Sequence, residues 1–487
     1  MKKTILRTSL SLALAGVCAV GSFLLPARAA TGDSLKTGLE KEGFTVQEGR
    51  YYELDTLQLA SEGKLYSCFG NNAGSSYMVF DLPEAPDQKV PNPAFPPSGW
   101  QYKLRADEAI VLITPLPPEC TYYSFINYIM FTAQKEGKDY SSEGGFFSAG
   151  NEQTGLYHPI FGSIGNSLNM NNILHDGSSA YGTNAVMVVS ANQTVTEKVV
   201  KQLKAAGYPE SVINVMPIPE DTYRMGLDKG DDTFCLLGRV SQPKDKAAYE
   251  KYLETLEKDA IVYRLTPTEE VESNPYENAE VTARGTGVHE LSKVPSAPEH
   301  LDEIRSALLE QYGKDYTYEE LSTKIAVPEG LTAYFNDTNA QGDNRDAAYV
   351  MTKDFTLDSD EDFVVVYGVN HTASGKAIYS NAVLYGRPML NGACSIYDSL
   401  FAGSAKEYLE KDCENADQYY VYKIARTKMD DYTAILPYST GNTQGKYYGL
   451  DNGNPMLLAF RAYLDENNVG TSYYELIYDR AIVFHKK

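Results

Sequence analysis

The chain has 487 residues, 43 Lys+Arg against 65 Asp+Glu, a formal net charge of −22 and 43% hydrophobic residues. That apolar share suffices for a buried core, which excludes wholesale disorder. The acidity argues against nucleic acid as a partner, because phosphate contacts need a basic stripe and none occurs.

Lys2, Lys3 and Arg7 precede an apolar run from Ser9 to Leu25, and Ala27 and Ala29 supply small residues at a signal-peptidase site. Residues 1–29 are therefore expected to be a signal peptide cut before Ala30, and the protein to be secreted or otherwise extracytoplasmic. No later stretch approaches the roughly 20 apolar residues of a membrane helix, so no span is expected in the mature chain. Gly32-Asp33-Ser34-Leu35 spells an esterase nucleophile motif, but lacks the strand before it and the D-x-x-H that such chemistry needs. Cys68, Cys120, Cys235, Cys394 and Cys413 show no C-x-x-C and no zinc spacing. A Cys394–Cys413 disulfide and buried reduced thiols are the alternatives.

Strand signals dominate the rest of the chain. Ala109–Ile113 and Phe363–Tyr367 are short, mostly β-branched runs bounded by turn residues. Matches between the halves recur in order. Phe69-Gly70-Asn71-Asn72 with Tyr77 answers Phe335-Asn336-Asp337 with Tyr349, and Tyr123-Ser124 answers Tyr379-Ser380. Ser163–Leu168 answers Ser395–Leu400, Asp232–Leu237 answers Asn454–Ala459, and Ala260–Tyr263 answers Ala481–Phe484. The pattern predicts an α+β, β-dominated chain of two tandem related antiparallel β-sandwich domains, jelly-roll-like, at 45–268 and 328–487. The first carries a Gly-rich loop at 135–157 and an inserted β-α unit. In that unit Ala185–Val189 is the strand, and Thr194 with Glu197 forms the capping box of a helix reaching Ala206. Residues 269–327 read as linker plus an amphipathic helix, with Leu301, Ile304, Leu308 and Tyr312 on the face that packs between the domains.

The second domain holds the denser polar constellation. Asp343, Arg345 and Asp346 precede the strand at Tyr349, Asn370 and His371 end the next strand, and Asp398 lies in the repeated Ser-Leu turn. Gathered on one rim, they suit recognition of a polar ligand or acid–base work. The bland alternative is an Arg–carboxylate pair pinning a loop. Asp337 to Gly342 imitates the first half of an EF-hand, although Ala348 stands where the bidentate Glu belongs. Asp337, Asn339 and Asp343 are the candidate Ca2+ ligands of a looser site, and no other cofactor is expected. Ser167, in Gly165-Asn166-Ser167-Leu168, has no G-x-S-x-G elbow around it.

The run Glu108–Leu112, the string Pro117–Phe125 and the turn Ser163–Asn169, with Asp343–Asp346 and Gly368–Thr372, resemble a family of exported bacterial proteins of uncharacterised function. They are also distantly similar to paired jelly-roll domains of unknown function. The resemblance covers most of the mature chain and assigns no catalytic residue. The expected function is a non-catalytic binding protein for a glycan or small polar ligand, its tyrosines supplying ring faces. The alternative is an extracytoplasmic hydrolase using Asp343, Asp346 or His371.

Overall fold

The computed structural model describes residues 28–62, 64–65, 67–93, 99–140, 149–151, 155–278, 281–411, 413–439 and 449–487. The expected signal sequence up to residue 27 and much of the 135–157 loop lie outside them. Among the described residues no helix is long and apolar enough to cross a membrane.

The first half supplies β1 (Phe44–Glu53), β2 (Ser75–Asp81), β3 (Ala109–Pro115), β4 (Cys120–Ala133), β5 (Ala149–Asn151), β6 (Gly155–Ser163), β7 (Leu168–Asn169), β8 (Asn184–Ser190), β9 (Ile213–Pro217), β10 (Thr233–Pro243) and β11 (Ile261–Pro267). The second supplies β12 (Tyr316–Leu321), β13 (Thr323–Ile325), β14 (Ala347–Thr352), β15 (Phe363–Val369), β16 (Tyr379–Gly386), β17 (Asn391–Tyr397), β18 (Tyr419–Ala425), β19 (Thr433–Ile435), β20 (Met456–Tyr463) and β21 (Arg480–Lys486). The helices are α1 (Arg28–Lys41), α2 (Thr56–Ser61), α3 (Gln193–Ala205), α4 (Lys246–Asp259), α5 (Ala297–Tyr312) and α6 (Gly330–Asn336).

The pairing order recurs. The first half runs β6-β4-β10-β2-β1-β11-β3-β8-β9 in one curled sheet, with β5 at the edge and β7 on β4. The second half runs β17-β16-β20-β14-β13 and β12-β21-β15-β18-β19. Where β1 is continuous, pairing with β11 through 44–49 and with β2 through 50–53, the second half divides the same run between β12 and β13. Left-handed backbone positions recur too. Phe69 and Gly70 (φ 54° and 69°) match Gln341 and Gly342 (53° and 70°), and Phe161 (39°) matches Leu390 (46°).

The sheets stack in four layers. Alternate residues of β3 face opposite ways, Ile110 and Leu112 into the first half's interior and Ala109, Val111 and Ile113 against α1 and α3. Phe363, Val365 and Tyr367 of β15 likewise meet α5, while Val364 and Val366 turn inward. Burial on both faces explains why these runs are continuously apolar rather than alternating. The two central sheets pack on each other, with Val79, Tyr128 and Leu237 of the first half against Val383, Leu457 and Ala459 of the second.

Several expectations need correction. The sheets are not purely antiparallel, because β8–β9 and β18–β19 are parallel pairs. The strand of the supposed β-α insertion, β8, has β18 as its counterpart, so only α3 is extra there. Asn192 caps α3 by accepting from the Val195 N–H, two residues before the expected Thr194. The helix at 297–312 packs on the outer face of the second half rather than between domains, because Leu301, Ile304 and Leu308 cover β15, β18 and β21. Residues 316–325, expected within the linker segment, are paired strands. Gly32–Leu35 lies in α1. The five cysteines among the described residues are unpaired, including Cys394 and Cys413.

Candidate functional site

The loop Gly342–Asp346 crosses into the first half. The Ala340 and Gly342 N–H groups donate to the Ile160 and Phe161 carbonyls at 2.7 and 2.8 Å. The Asp343 carboxylate accepts from the Ser163 N–H (2.6 Å), the Ser163 hydroxyl (2.7 Å) and the Gly330 N–H (2.9 Å). Burial outweighs these donors and pushes its carboxyl up from 3.8 to about 6. Asp346 accepts from Tyr122 Oη (2.7 Å) and Asn169 Nδ2 (3.0 Å), and burial raises it as well. Arg345 donates to Glu329 and to the Thr282 carbonyl. Ser167 donates to Asn344 Oδ1 at 2.8 Å.

The reverse crossing is built the same way. Cys68 and Gly70 N–H groups donate to the Met389 and Leu390 carbonyls at 2.8 and 3.0 Å, and Asn71 Oδ1 accepts from the Gly392 N–H. The structural counterpart of Gly70-Asn71-Asn72 is thus Gly342-Asp343-Asn344, not Phe335-Asn336-Asp337. Ser163 corresponds to Gly392 rather than Ser395. Tyr122 and Tyr379, which receive the Asn344 and Asn72 amides, correspond to each other, whereas Tyr123 faces the first half's interior. A one-residue slip in a strand exchanges its faces. Asp343 and Asp346 are therefore part of a reciprocal clamp between the halves, whereas Arg345 stays with Glu329 of its own half and the Thr282 carbonyl of the connecting segment.

The remaining predicted residues do not join them. His371 sits between Glu290 Oε1 (2.8 Å, Nδ1) and Asp479 Oδ2 (3.3 Å, Nε2). Burial alone would lower the imidazole, but the two carboxylates hold it well above its ordinary value. Asn370 Oδ1 is spent on the Thr372 backbone and hydroxyl, and Asp398 accepts from the Ser380 N–H at 3.1 Å, burial raising its carboxyl. The Ca2+ candidates separate likewise. Asp337 ends α6 in left-handed backbone and binds Lys138 Nζ (2.7 Å) and Tyr140 Oη (2.8 Å), so an ammonium stands where a cation would sit. Asn339 Oδ1 accepts from the Gln341 N–H, and Asp343 belongs to the clamp. In the acidic run near 360, Asp362 accepts from the Asp358, Ser359 and Lys486 N–H groups beside His485.

Between the two crossing loops lies a cavity that no sequence motif announced. Measured as room for the centres of water-sized groups it is about 50 Å³. One water needs about 10–15 Å³ on that scale, so the space suits roughly three to five heavy atoms. Tyr77, Arg239, Trp100, Tyr349 and Arg461 line it, together with the paired loop residues Gly70 and Gly342. Arg239 pairs with Tyr77 across β10–β2, and Arg461 with Tyr349 across β20–β14, so the two arginines are counterparts. Extending the match of Asp232–Leu237 with Asn454–Ala459 by two residues would have aligned them.

The electrostatics are unusual. Arg239 and Arg461 are only 6% and 7% exposed. Each guanidinium lies over a tyrosine ring, Arg239 5.4 Å from Tyr77 and Arg461 5.3 Å from Tyr349. Arg239 Nη1 donates to Tyr349 Oη at 3.4 Å, and Arg461 Nη2 to Tyr385 Oη and the Gly70 carbonyl. Among the described residues Arg239 Nε and Arg461 Nη1 have no hydrogen-bond partner, and no carboxylate pairs with either side chain. Burial raises the phenol of Tyr349, and those of Tyr385 and Tyr463 to about 12, so these neighbours stay neutral near pH 7. Arg264 in the same chain shows the usual arrangement. It is fully buried and bidentate to Glu108 at 3.0 and 2.7 Å. Desolvating a charge costs on the order of several kcal/mol, and a desolvated cation–π contact returns only about 2 kcal/mol. Arg461 has Tyr385 as a second ring at 5.5 Å, and each hydrogen bond from a charged group returns about 1.5–3 kcal/mol, so neutral partners offset part of the cost while no opposite charge among the described residues neutralises either arginine.

No protein-family model matches the chain, and no curated protein matches it. Among solved structures it is similar to an uncharacterised protein from Burkholderia cenocepacia at 10% identity, with TM-score 0.37, over 93% of this chain and 87% of that one. It is also similar to an uncharacterised protein from Vibrio parahaemolyticus at 11% identity, with TM-score 0.33, over 93% of this chain and 97% of that one.

Proposed function

We propose that this is an exported, non-catalytic binding protein in which two β-sandwich modules, related by duplication and jelly-roll-like in descent, hold a small polar ligand between them. The single observation carrying this reading is a cavity lined by the buried guanidinium side chains of Arg239 and Arg461, neither of which has a carboxylate partner among the described residues. A few convergent polar groups on an otherwise apolar and aromatic wall are what orient a small ligand. The repeated pairing order and the matching left-handed positions support the duplication. A glycan has less support than a smaller polar molecule, because the cavity has room for only about three to five heavy atoms. The hydrolase alternative finds no specific support. Among the described residues the cavity lining contains no carboxylate or imidazole, and Asp343, Asp346 and His371 spend their polar atoms on protein partners.

The test is a thermal-shift titration of the purified protein against small oxyanions, short carboxylates, polyols and monosaccharides. At least one class is expected to raise Tm saturably. A panel that leaves Tm unchanged at millimolar concentrations overturns the reading.

A further inference from the structure

We infer that the ligand of the cavity between the halves is a small oxyanion, held by Arg239 from the first half and Arg461 from the second. This rests on the binding-protein reading and names its ligand class. Both guanidinium groups reach the cavity from central strands, β10 and β20, at corresponding register positions. Each guanidinium lies over a tyrosine ring, Tyr77 or Tyr349, and neither side chain uses all its N–H groups on protein acceptors, Arg239 Nε and Arg461 Nη1 being unpaired among the described residues. A guanidinium fork is complementary to the oxygens of a carboxylate, sulfate or phosphate, and such charge-assisted bonds are about twice as strong as neutral ones.

Size and charge point the same way. A space for about three to five heavy atoms accommodates a tetrahedral oxyanion or a short carboxylate and is small for a sugar ring. A neutral ligand could accept the free N–H bonds but would leave two buried positive charges uncompensated. A doubly charged oxyanion answers both. The crossing loops close the site from either half, since Gly70 and Gly342 line the cavity and their N–H groups tie each loop to the opposite half. Anion binding should therefore tighten the association of the two halves.

The experiment titrates the purified chain at constant ionic strength with inorganic phosphate, sulfate and oxalate, against chloride and the neutral probes glycerol and urea, reading Tm and binding heat. The oxyanions are expected to raise Tm by a few degrees at about 100 times Kd, with chloride and the neutral probes inert. Arg239→Gln and Arg461→Gln should each weaken oxyanion binding at least about 30-fold, the loss typical of removing one partner of a buried charge pair. Because each variant removes an uncompensated charge, its Tm in oxyanion-free buffer should equal or exceed that of the wild type. If neutral probes shift Tm and oxyanions do not, the pocket reading stands and the anion inference falls. If chloride acts as strongly as phosphate, oxyanion recognition is refuted. If no probe shifts Tm, both readings fall. The wild-type titration decides these outcomes even where a variant does not fold.

Discussion

Replacing Asp343 with Ala removes the carboxylate that accepts from the Ser163 N–H, the Ser163 hydroxyl and the Gly330 N–H, all buried where the second half's loop enters the first. Ser163 can rotate its hydroxyl, but two backbone N–H groups are orphaned at about 1–3 kcal/mol each. Removing a desolvated carboxylate offsets part of that, leaving an expected loss of about 2–5 kcal/mol at pH 7. The pH dependence separates the two contributions. Burial places the folded-state carboxyl at about 6, above its ordinary 3.8. The folded protein therefore binds the extra proton between those values, and this group's contribution to stability falls as pH rises through that window. About two pH units correspond to about 3 kcal/mol. That full amount is reached only below 3.8, so the gap between wild type and Asp343→Ala should widen by about 2.4 kcal/mol on going from pH 7 to pH 4. Urea denaturation followed by near-UV circular dichroism at both pH values measures it. A variant within about 0.5 kcal/mol of wild type, which is the range of ordinary surface changes, or a gap independent of pH, would refute the clamp.

His371→Gln should cost about 3–5 kcal/mol by leaving Glu290 and Asp479 buried without a cation. Because the folded imidazole is raised, its contribution is complete below about 6.5 and is lost only as pH rises through the higher folded value. A ring titrating near 6.5 by NMR would contradict this. Arg264→Met should destabilise by a similar amount, about 3–5 kcal/mol, because it strands Glu108; an unchanged urea midpoint argues against the pairing. Burial pushes the Cys68, Cys120 and Cys394 thiols up to about 12. A thiol reagent near pH 8 should therefore label Cys413, the half-buried one, well before these three. Equal labelling rates would show that the buried thiols are open to solvent.

Local pattern made some of the molecule legible and hid the rest. The continuous apolar runs of β3 and β15 announced strands because burial on both faces selects apolar residues at every position. The apolar spacing of α5 announced a helix, yet not its place on the outer face, since periodicity records that a face is buried but not by what. The Asp343–Asp346 cluster stood out for its polarity, and its location at a crossing between halves gave that polarity a clamping role.

What sequence by itself determined was the β-rich composition, the principal strand and helix segments, and a pattern recurring in order along the chain. Those depend on neighbours a few residues apart. Only the tertiary structure decided that Asn72 meets Asn381, that Tyr122 rather than Tyr123 corresponds to Tyr379, and that Arg239 and Arg461 face one cavity. Such contacts join residues hundreds of positions apart, and a shift of one residue turns a strand side chain to the opposite face. Register and sheet packing, rather than local propensity, set which charges are left without partners.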